Sequence, residues 1–178
     1  NKVHTILQLR HHEAILELKE KIENGPADKV YDIDLTYITS RGNWYYTSWK
    51  GNEEKSGGIA SNIGVHFFDM LQWIFGPMEQ ATVDIKTKDT NSGTLKFKQA
   101  NVNWYLSINA ENLPQKAKDN GLPTFRTLSI EGEDIEFSKG FTDLHTVSYQ
   151  KILDGAGYGL ADARNSIEIV SRIRLFNG

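Results

Sequence analysis

The spacing of apolar residues changes several times along the chain, and each change predicts an element. Val3, Thr5, Leu7 and Leu9 alternate with His4, Ile6, Gln8 and Arg10, which predicts a first strand over residues 3–9. Over residues 12–24 the period becomes helical: Ile15, Leu18 and Ile22 share a side, Glu17 precedes Lys21 by four, and Gly25-Pro26 ends the run. Residues 29–40 alternate again, with Tyr31, Ile33, Leu35 and Tyr37 on one face and Asp32, Asp34 and Thr36 on the other. One apolar and one polar face is the pattern of an antiparallel or edge strand. Residues 41–55, RGNWYYTSWKGNEEK, follow no period and predict a long loop.

The longest helical pattern covers residues 56–77, SGGIASNIGVHFFDMLQWIFGP. Ile63, Phe67, Met70, Leu71 and Ile74 make its apolar face, and Gly76-Pro77 stops it. At about 100° per residue, Asn62, His66, Asp69 and Trp73 form a narrow stripe beside that face. Strands are then predicted at 81–87, 94–97 and 101–110, with Asn91-Ser92-Gly93 as a turn. In the last of these, Val102, Trp104, Leu106 and Ile108 alternate with Asn103, Tyr105, Ser107 and Asn109. Residues 111–123 read as a polar loop, 126–131 and 135–137 as a hairpin around Gly132, and 144–153 and 161–175 as two closing helices. The last has Ala163, Ile167, Val170 and Ile173 on one side, and Arg172 and Arg174 where the helix dipole favours cations. Strands that follow one another without intervening helices argue against βαβ units. The expected class is α+β: an open, mostly antiparallel sheet of about six strands with helices on one face.

Composition narrows the partners. The chain has 178 residues, enough for one domain with a core, and a net charge of -3 without a basic cluster, which gives no reason to expect nucleic acid or an anionic membrane surface. No apolar run approaches the roughly 20 residues of a membrane span. Cysteine is absent, which excludes thiolate metal sites and fits a reducing, cytoplasmic setting. The chain opens in a strand-like pattern without Met and reads as a piece cut at a domain boundary.

Few motifs carry chemistry. Gly155-Ala156-Gly157-Tyr158-Gly159 follows a helix and does not match GxGxxG, so it reads as a helix–helix linker rather than a dinucleotide cradle. The five His are scattered, and none makes a metal pair. What remains is Asn62 and His66, one helical turn apart. A polar helix edge with a satisfied histidine is the ordinary reading of such a stripe. The alternative is proton transfer by His66, the side chain suited to it near neutral pH, with Asn62 orienting it or binding a substrate hydroxyl. Asp69 fits a hydrogen-bond anchor between helix and sheet better than a catalytic role.

The pattern GG-x-x-x-(D/N)-x-G-x-H-x-x-D-x-x-x-W-x-x-G, present as Gly57, Gly58, Asn62, Gly64, His66, Asp69, Trp73 and Gly76, resembles the glucose–fructose oxidoreductase and inositol dehydrogenase family of NAD(P)-dependent sugar dehydrogenases. LRHHEAILELKEKI, GTLKFKQANVNWYLSINA and ADARNSIEIVSRIR agree with it, in order, over essentially the whole chain. The resemblance implies that residues 1–178 are the C-terminal substrate-binding and oligomerisation domain. A Rossmann domain would lie outside the chain, holding NAD(P), with NAD favoured, and a catalytic Lys. The family pattern carries Asp where this chain has Asn62, so an assisting carboxylate is missing at that position.

The loop RGNWYYTSWKGNEEK and the Asn62 variant are similar to the subgroup that oxidises the C3 hydroxyl of UDP-N-acetylglucosaminuronate for surface polysaccharide. A free sugar or inositol as substrate, or a purely binding and assembly role, are the other readings. On this resemblance His66 and Asn62 are the expected catalytic residues. Gln8, Arg10, Arg41, Lys50, Lys55, His145 and Tyr149 are the expected substrate contacts. The cations offer donors to diphosphate and carboxylate, and each equally suits a solvated loop. No cofactor-binding or metal-ligating residue is expected in this chain. The partners expected are a nucleotide sugar and further copies of the chain, as a homodimer or homotetramer paired through the uncovered sheet face.

Overall fold

The computed structural model describes residues 2–135 and 142–176. Helix α1 (Glu13–Glu23) turns Ile15, Leu18 and Ile22 inward, as their spacing predicts. Strand β1 (Tyr31–Thr39) follows. After a helical segment that ends in α4 (Val65–Phe75), the chain forms β2 (Met78–Lys86), β3 (Thr90–Phe97) and β4 (Ala100–Ser107), then β5 (Thr124–Ile130) and the short β6 (Glu133–Asp134). Helices α6 (Leu144–Leu153) and α7 (Leu160–Leu175) close it.

Among the described residues the six strands make one sheet in the order β2-β3-β4-β1-β5-β6. β1 and β4 pair in parallel, and the other pairings are antiparallel. The α+β, mostly antiparallel class expected from the sequence is the one observed. β1 lies inside the sheet rather than at its edge. Its polar positions alternate because one face of the sheet is largely uncovered, so interior strands carry the two-faced pattern too.

The covered face holds the core. Phe68, Met70, Leu71 and Phe75 of α4, Ile15 of α1 and Ile169 and Ile173 of α7 pack with Ile33, Leu35, Leu95, Val102, Trp104 and Leu106 of the sheet. Phe68 meets Trp104 edge-on at 5.4 Å between ring centroids. Each such large side chain contributes about 2–3 kcal/mol by leaving water. The other face is polar: Asn101 donates to Asp32 at 3.3 Å and Asn103 to Asp34 at 2.9 Å. It carries one small apolar cover, where Leu113 and Ala117 pack on Ile38.

Four local expectations are corrected. Residues 3–9 form no strand; among the described residues no neighbouring strand pairs with them. Alternation prepares a chain for a ladder but does not supply the partner. The segment is held by the Thr5 N–H and hydroxyl, both 3.0 Å from the carbonyls of Tyr158 and Gly159, and turns into a 3₁₀ helix at Gln8–His11. Asn91-Ser92-Gly93 is not a turn but the interior of β3. Gly93 is there because a Cβ would strike the Thr82 carbonyl, where β2 has a bulge between Val83 and Ile85. The reversal comes earlier, closed by the Thr87 N–H on the Thr90 carbonyl at 2.8 Å.

The region 41–55 is not open loop. It folds as α2 (Asn43–Thr47), a 3₁₀ turn at Trp49–Gly51 and α3 (Glu53–Ser56), because Ser48 and Asn52 cap successive turns. The polar stretch 111–123 contains α5 (Gln115–Asp119). The predicted hairpin is made by β5 and β6, and its expected continuation at 136–137 lies outside the described residues.

Candidate active site

The stretch expected to be one helix is built in two parts. Gly57 and Gly58 lead into it with φ of +77° and +72°, a left-handed backbone that glycine adopts without strain. Ala60–Gly64 then widens into a π-turn before α4 begins at Val65. A widened turn rotates the side chains on either side of it relative to an uninterrupted helix, and such turns recur where a side chain has to be aimed. Gly64 lets the helix lie on the sheet: a Cβ there would come within 2.6 Å of the Phe68 ring and 3.0 Å of Leu106.

The polar stripe divides in function. Asp69 is fully buried and receives Arg10, whose Nε and Nη2 donate to its two carboxylate oxygens at 2.9 and 2.7 Å. Arg10 also donates to the Asp162 carbonyl at 3.1 Å. Its guanidinium is flanked by the Tyr158 ring at 4.7 Å and the Trp73 ring at 5.6 Å. Asp69 is therefore an anchor, as expected, although it ties α4 to the 3₁₀ turn at Gln8–His11 and not to the sheet. Arg10, expected at the substrate, has its charge turned inward on this pair.

His66 is half-buried, three residues before Asp69. It lines a cleft of about 180 Å³ with Gln8, Val65, Asp69 and Ser166. Burial pushes the imidazole below its usual value and the nearby His145 adds to this, while the Asp69 carboxylate pulls the other way. The balance leaves the ring neutral near pH 7 and able to accept a proton. In the same cleft the buried side-chain oxygen of Gln8 has no hydrogen-bond partner among the described residues.

Asn62 faces the preceding segment. Its amide nitrogen donates to the Gly58 carbonyl at 3.0 Å and reaches the Lys50 carbonyl at 3.4 Å. Both partners are acceptors, so a carboxylate could not make these contacts. The Lys50 carbonyl also accepts from the Ser56 hydroxyl at 2.9 Å. This is a physical reason for the Asn variant: the carboxamide pins the 41–55 segment to the π-turn.

The expected site residues do not all converge. Gln8 and His66 share the cleft, and His145, exposed at the start of α6, is near enough to affect the imidazole. Tyr149, one turn further along α6, is mostly exposed. Arg41 is half-buried beside Tyr45, and its Nε is buried without a hydrogen-bond partner among the described residues. Lys50 is exposed with Nζ 5.9 Å from the centre of the Trp49 ring, and Lys55 is exposed on α3. The sequence reading did not single out Tyr45, which is buried between these groups, and no simple signal marks it among the aromatics of the segment.

No group of three His, Cys, Asp or Glu among the described residues is placed to hold a metal ion, and no described helix is long and apolar enough to cross a membrane. For a nicotinamide dinucleotide the chain provides no cradle among its described residues. Its sheet has a single parallel pair, and Gly155–Gly159 joins α6 to α7 rather than a strand to a helix.

Residues 19–114, more than half of the chain, match the sequence family described as the oxidoreductase family, C-terminal alpha/beta domain. Among solved structures, the WlbA (WbpB) dehydrogenase from Thermus thermophilus in complex with NAD and alpha-ketoglutarate is 44% identical, with a TM-score of 0.93. The same dehydrogenase in complex with NAD and UDP-GlcNAcA is 42% identical, also at 0.93. Each match covers 99% of this chain and 56% of the other, so the chain spans little more than half the length of these structures. WlbA from Bordetella pertussis, in complex with NADH and UDP-GlcNAcA, shares the fold at 17% identity and a TM-score of 0.68, over 97% of this chain and 59% of that one.

Proposed function

Because the chain belongs to the Gfo/Idh/MocA oxidoreductase family, as its C-terminal alpha/beta domain, we propose that it is the substrate-binding and assembly part of an NAD-dependent dehydrogenase oxidising the C3 hydroxyl of UDP-N-acetylglucosaminuronate. The observation that carries this reading is the His66 cleft: a half-buried imidazole held below its usual pKa, beside an unpartnered Gln8 oxygen. It occurs in a chain 42% identical to a structure holding NAD and UDP-GlcNAcA.

The nicotinamide belongs to the remainder of the protein and supplies the hydride acceptor when bound there. The residues of this chain handle the rest. As a carbinol becomes a ketone its hydroxyl proton has to leave, and neutral His66 accepts or relays it. Gln8 orients a substrate hydroxyl, and Asn62 holds the π-turn that leads into α4 against the 41–55 segment. Arg41 and Lys50, with Lys55 at longer range, meet diphosphate and carboxylate oxygens. His145, near enough to act on the imidazole, and Tyr149, one turn further along α6, are the outer substrate contacts. Such a reaction belongs in the cytoplasm, where nucleotide sugars and NAD are available.

The uncovered sheet face is the surface on which copies would pair, as a homodimer or homotetramer. It is broad, and its carboxylates Asp32 and Asp34 are already matched by Asn101 and Asn103 on the same face, which lowers the cost of burying it.

The full-length protein with NAD should form NADH when given UDP-N-acetylglucosaminuronate and not when given inositol or a free hexose. Faster turnover of inositol or hexose than of the nucleotide sugar would overturn the substrate reading in favour of another branch of the family.

A further inference from the structure

Four cations from three separate stretches line one cavity of about 40 Å³. Lys50 comes from the 3₁₀ turn at Trp49–Gly51, Lys86 and Lys88 from the end of β2 and the reversal after it, and Arg174 from the last turn of α7. Glu53 is the one carboxylate residue in the wall, and no ion pair among the described residues involves any of the four cations. Local contacts fix their places. Lys86 Nζ donates to the Arg174 carbonyl at 2.6 Å, which ties the end of α7 to β2. The Arg174 guanidinium carbon lies 3.3 Å from where a Cβ on Gly57 would stand, so the left-handed glycine leaves it room against the turn. Lys88 Nζ stands 5.8 Å from the centre of the Tyr46 ring. A recess lined by one sign of charge concentrates counter-ions. Neutral donors face it too. Tyr45 lines the same cavity and is 4% exposed, and its hydroxyl has no hydrogen-bond partner among the described residues. The helical run 58–75 also begins here, and the first N–H groups of a helix lack partners within it and form its positive end. The Gly58 N–H is taken by the Ser56 hydroxyl at 3.1 Å, whereas those of Ile59 and Ala60, in the same wall, meet no carbonyl of another described element.

We propose that this cavity is a phosphate subsite, in which Lys86, Lys88 and Arg174 join Lys50 to hold the diphosphate of the nucleotide sugar. The proposal rests on the reading of the substrate as a nucleotide sugar. Size favours a phosphoryl group over a ring: about 40 Å³ is little more than the roughly 30 Å³ that one water occupies in the liquid. Point charges arriving from separate elements suit a tetrahedral group with several oxygens. Position agrees as well. His66 and Ser166 border one cleft, Ile59 and Ile173 the other, so α4 and α7 run past each other in opposite directions between the two. Seven residues separate the two cavities on either helix, about 10 Å along the axis. A hexose with its C3 hydroxyl at His66 and a diphosphate on C1 extends over such a span. Inositol and free hexoses have nothing to place in the cavity, which makes Lys88 and Arg174 specificity residues for the nucleotide-linked sugar.

The test uses the full-length protein with NAD bound, titrated by calorimetry with UDP, inorganic pyrophosphate and free N-acetylglucosaminuronate. Lys88→Ala and Arg174→Ala should each weaken UDP binding about threefold to tenfold, and added salt should weaken it less in the double variant than in the wild type. KM for UDP-N-acetylglucosaminuronate should rise by the same factor, with kcat within about twofold of wild type and Tm unchanged, a split that a structural role would not produce. Binding of the free sugar acid should not move. Wild-type affinity for UDP in the double variant would overturn the proposal, and so would equal losses for UDP and the free sugar acid. Pyrophosphate binding that the double variant loses, beside unchanged UDP binding, would show a site for free phosphate and overturn its assignment to the substrate. If the wild type does not bind UDP and turns over inositol or hexose instead, the substrate reading has failed and this proposal falls with it. A wild type that prefers the nucleotide sugar beside unaffected variants sinks this proposal alone.

Discussion

Arg10 and Asp69 form a buried, two-pronged ion pair, with contacts of 2.9 and 2.7 Å, and Asp69 lies three residues beyond His66. Both side chains are almost wholly withdrawn from water, at 6% and 2% exposure. A pair of this kind adds little stability over a well-packed apolar substitute, but breaking it strands a charge. Asp69→Asn should therefore cost about 3–5 kcal/mol, read as a lower denaturation midpoint in urea. Because the pair also fixes the turn carrying Gln8 beside His66, binding of the nucleotide sugar by the full-length protein should weaken with it.

Asn62→Asp restores the residue that the family pattern carries there. In this chain it would place a carboxylate against the Gly58 and Lys50 carbonyls, which accept and cannot donate. Loss of the two contacts and the new repulsion should destabilise by about 1–3 kcal/mol. Slower turnover should accompany this, whereas a gain in turnover would show that the carboxylate finds another partner.

Gly64 is the point where α4 rests on the sheet. Gly64→Ala adds a methyl 2.6 Å from the Phe68 ring, which is held by Trp104. Overpacking of this sort costs typically about 1–3 kcal/mol and should appear as a fall in Tm with no change in the pH dependence of stability.

That pH dependence has a definite sign. His66 and His11 are both held below the usual imidazole value, in each case chiefly by burial. Protonating them in the folded state is harder than in the unfolded chain. Stability should therefore be full above the ordinary value of 6.5 and decline as pH falls from there toward the lowered folded values. His66→Gln should flatten that decline. A variant with the wild-type slope would show that His66 does not carry it.

The cations of the 41–55 segment should differ in effect. Arg41 lies beside Tyr45, and the Lys50 carbonyl accepts from Asn62, whereas Lys55 is exposed on α3. Arg41→Gln should weaken UDP-sugar binding by about tenfold or more in titration calorimetry, and Lys55→Gln by much less.

Much of this was legible in the residues. The two-residue alternation of Tyr31, Ile33, Leu35 and Tyr37 predicts β1 and its buried face, and the α4 pattern places Met70 and Leu71 in the core because a helix on a sheet has one way to face. The errors came where a neighbour decides. Residues 3–9 carry a strand pattern but have no ladder to join. Gly93 imitates a turn, while its reason is a bulge on the adjacent strand, which spacing cannot reveal. The sequence marks His66 and Asn62 as polar residues that the helix does not need for its own packing; the fold puts His66 in a cleft with Gln8, while Asn62 turns to the Gly58 and Lys50 carbonyls. Arg10 drew notice for its charge, and only the fold shows that charge directed at Asp69. Tyr45 was hidden among the aromatics of its segment, since its buried hydroxyl is a property of three-dimensional placement alone.

The most direct test is transfer to NAD by the full-length protein carrying His66→Ala, followed in single turnover with UDP-N-acetylglucosaminuronate. Loss of a proton acceptor at the reacting hydroxyl should slow the step by about 10²–10⁴-fold while the Kd for NAD stays as in the wild type. A rate within about twofold of wild type would contradict the role assigned to His66, and with it the account of this cleft as the active site.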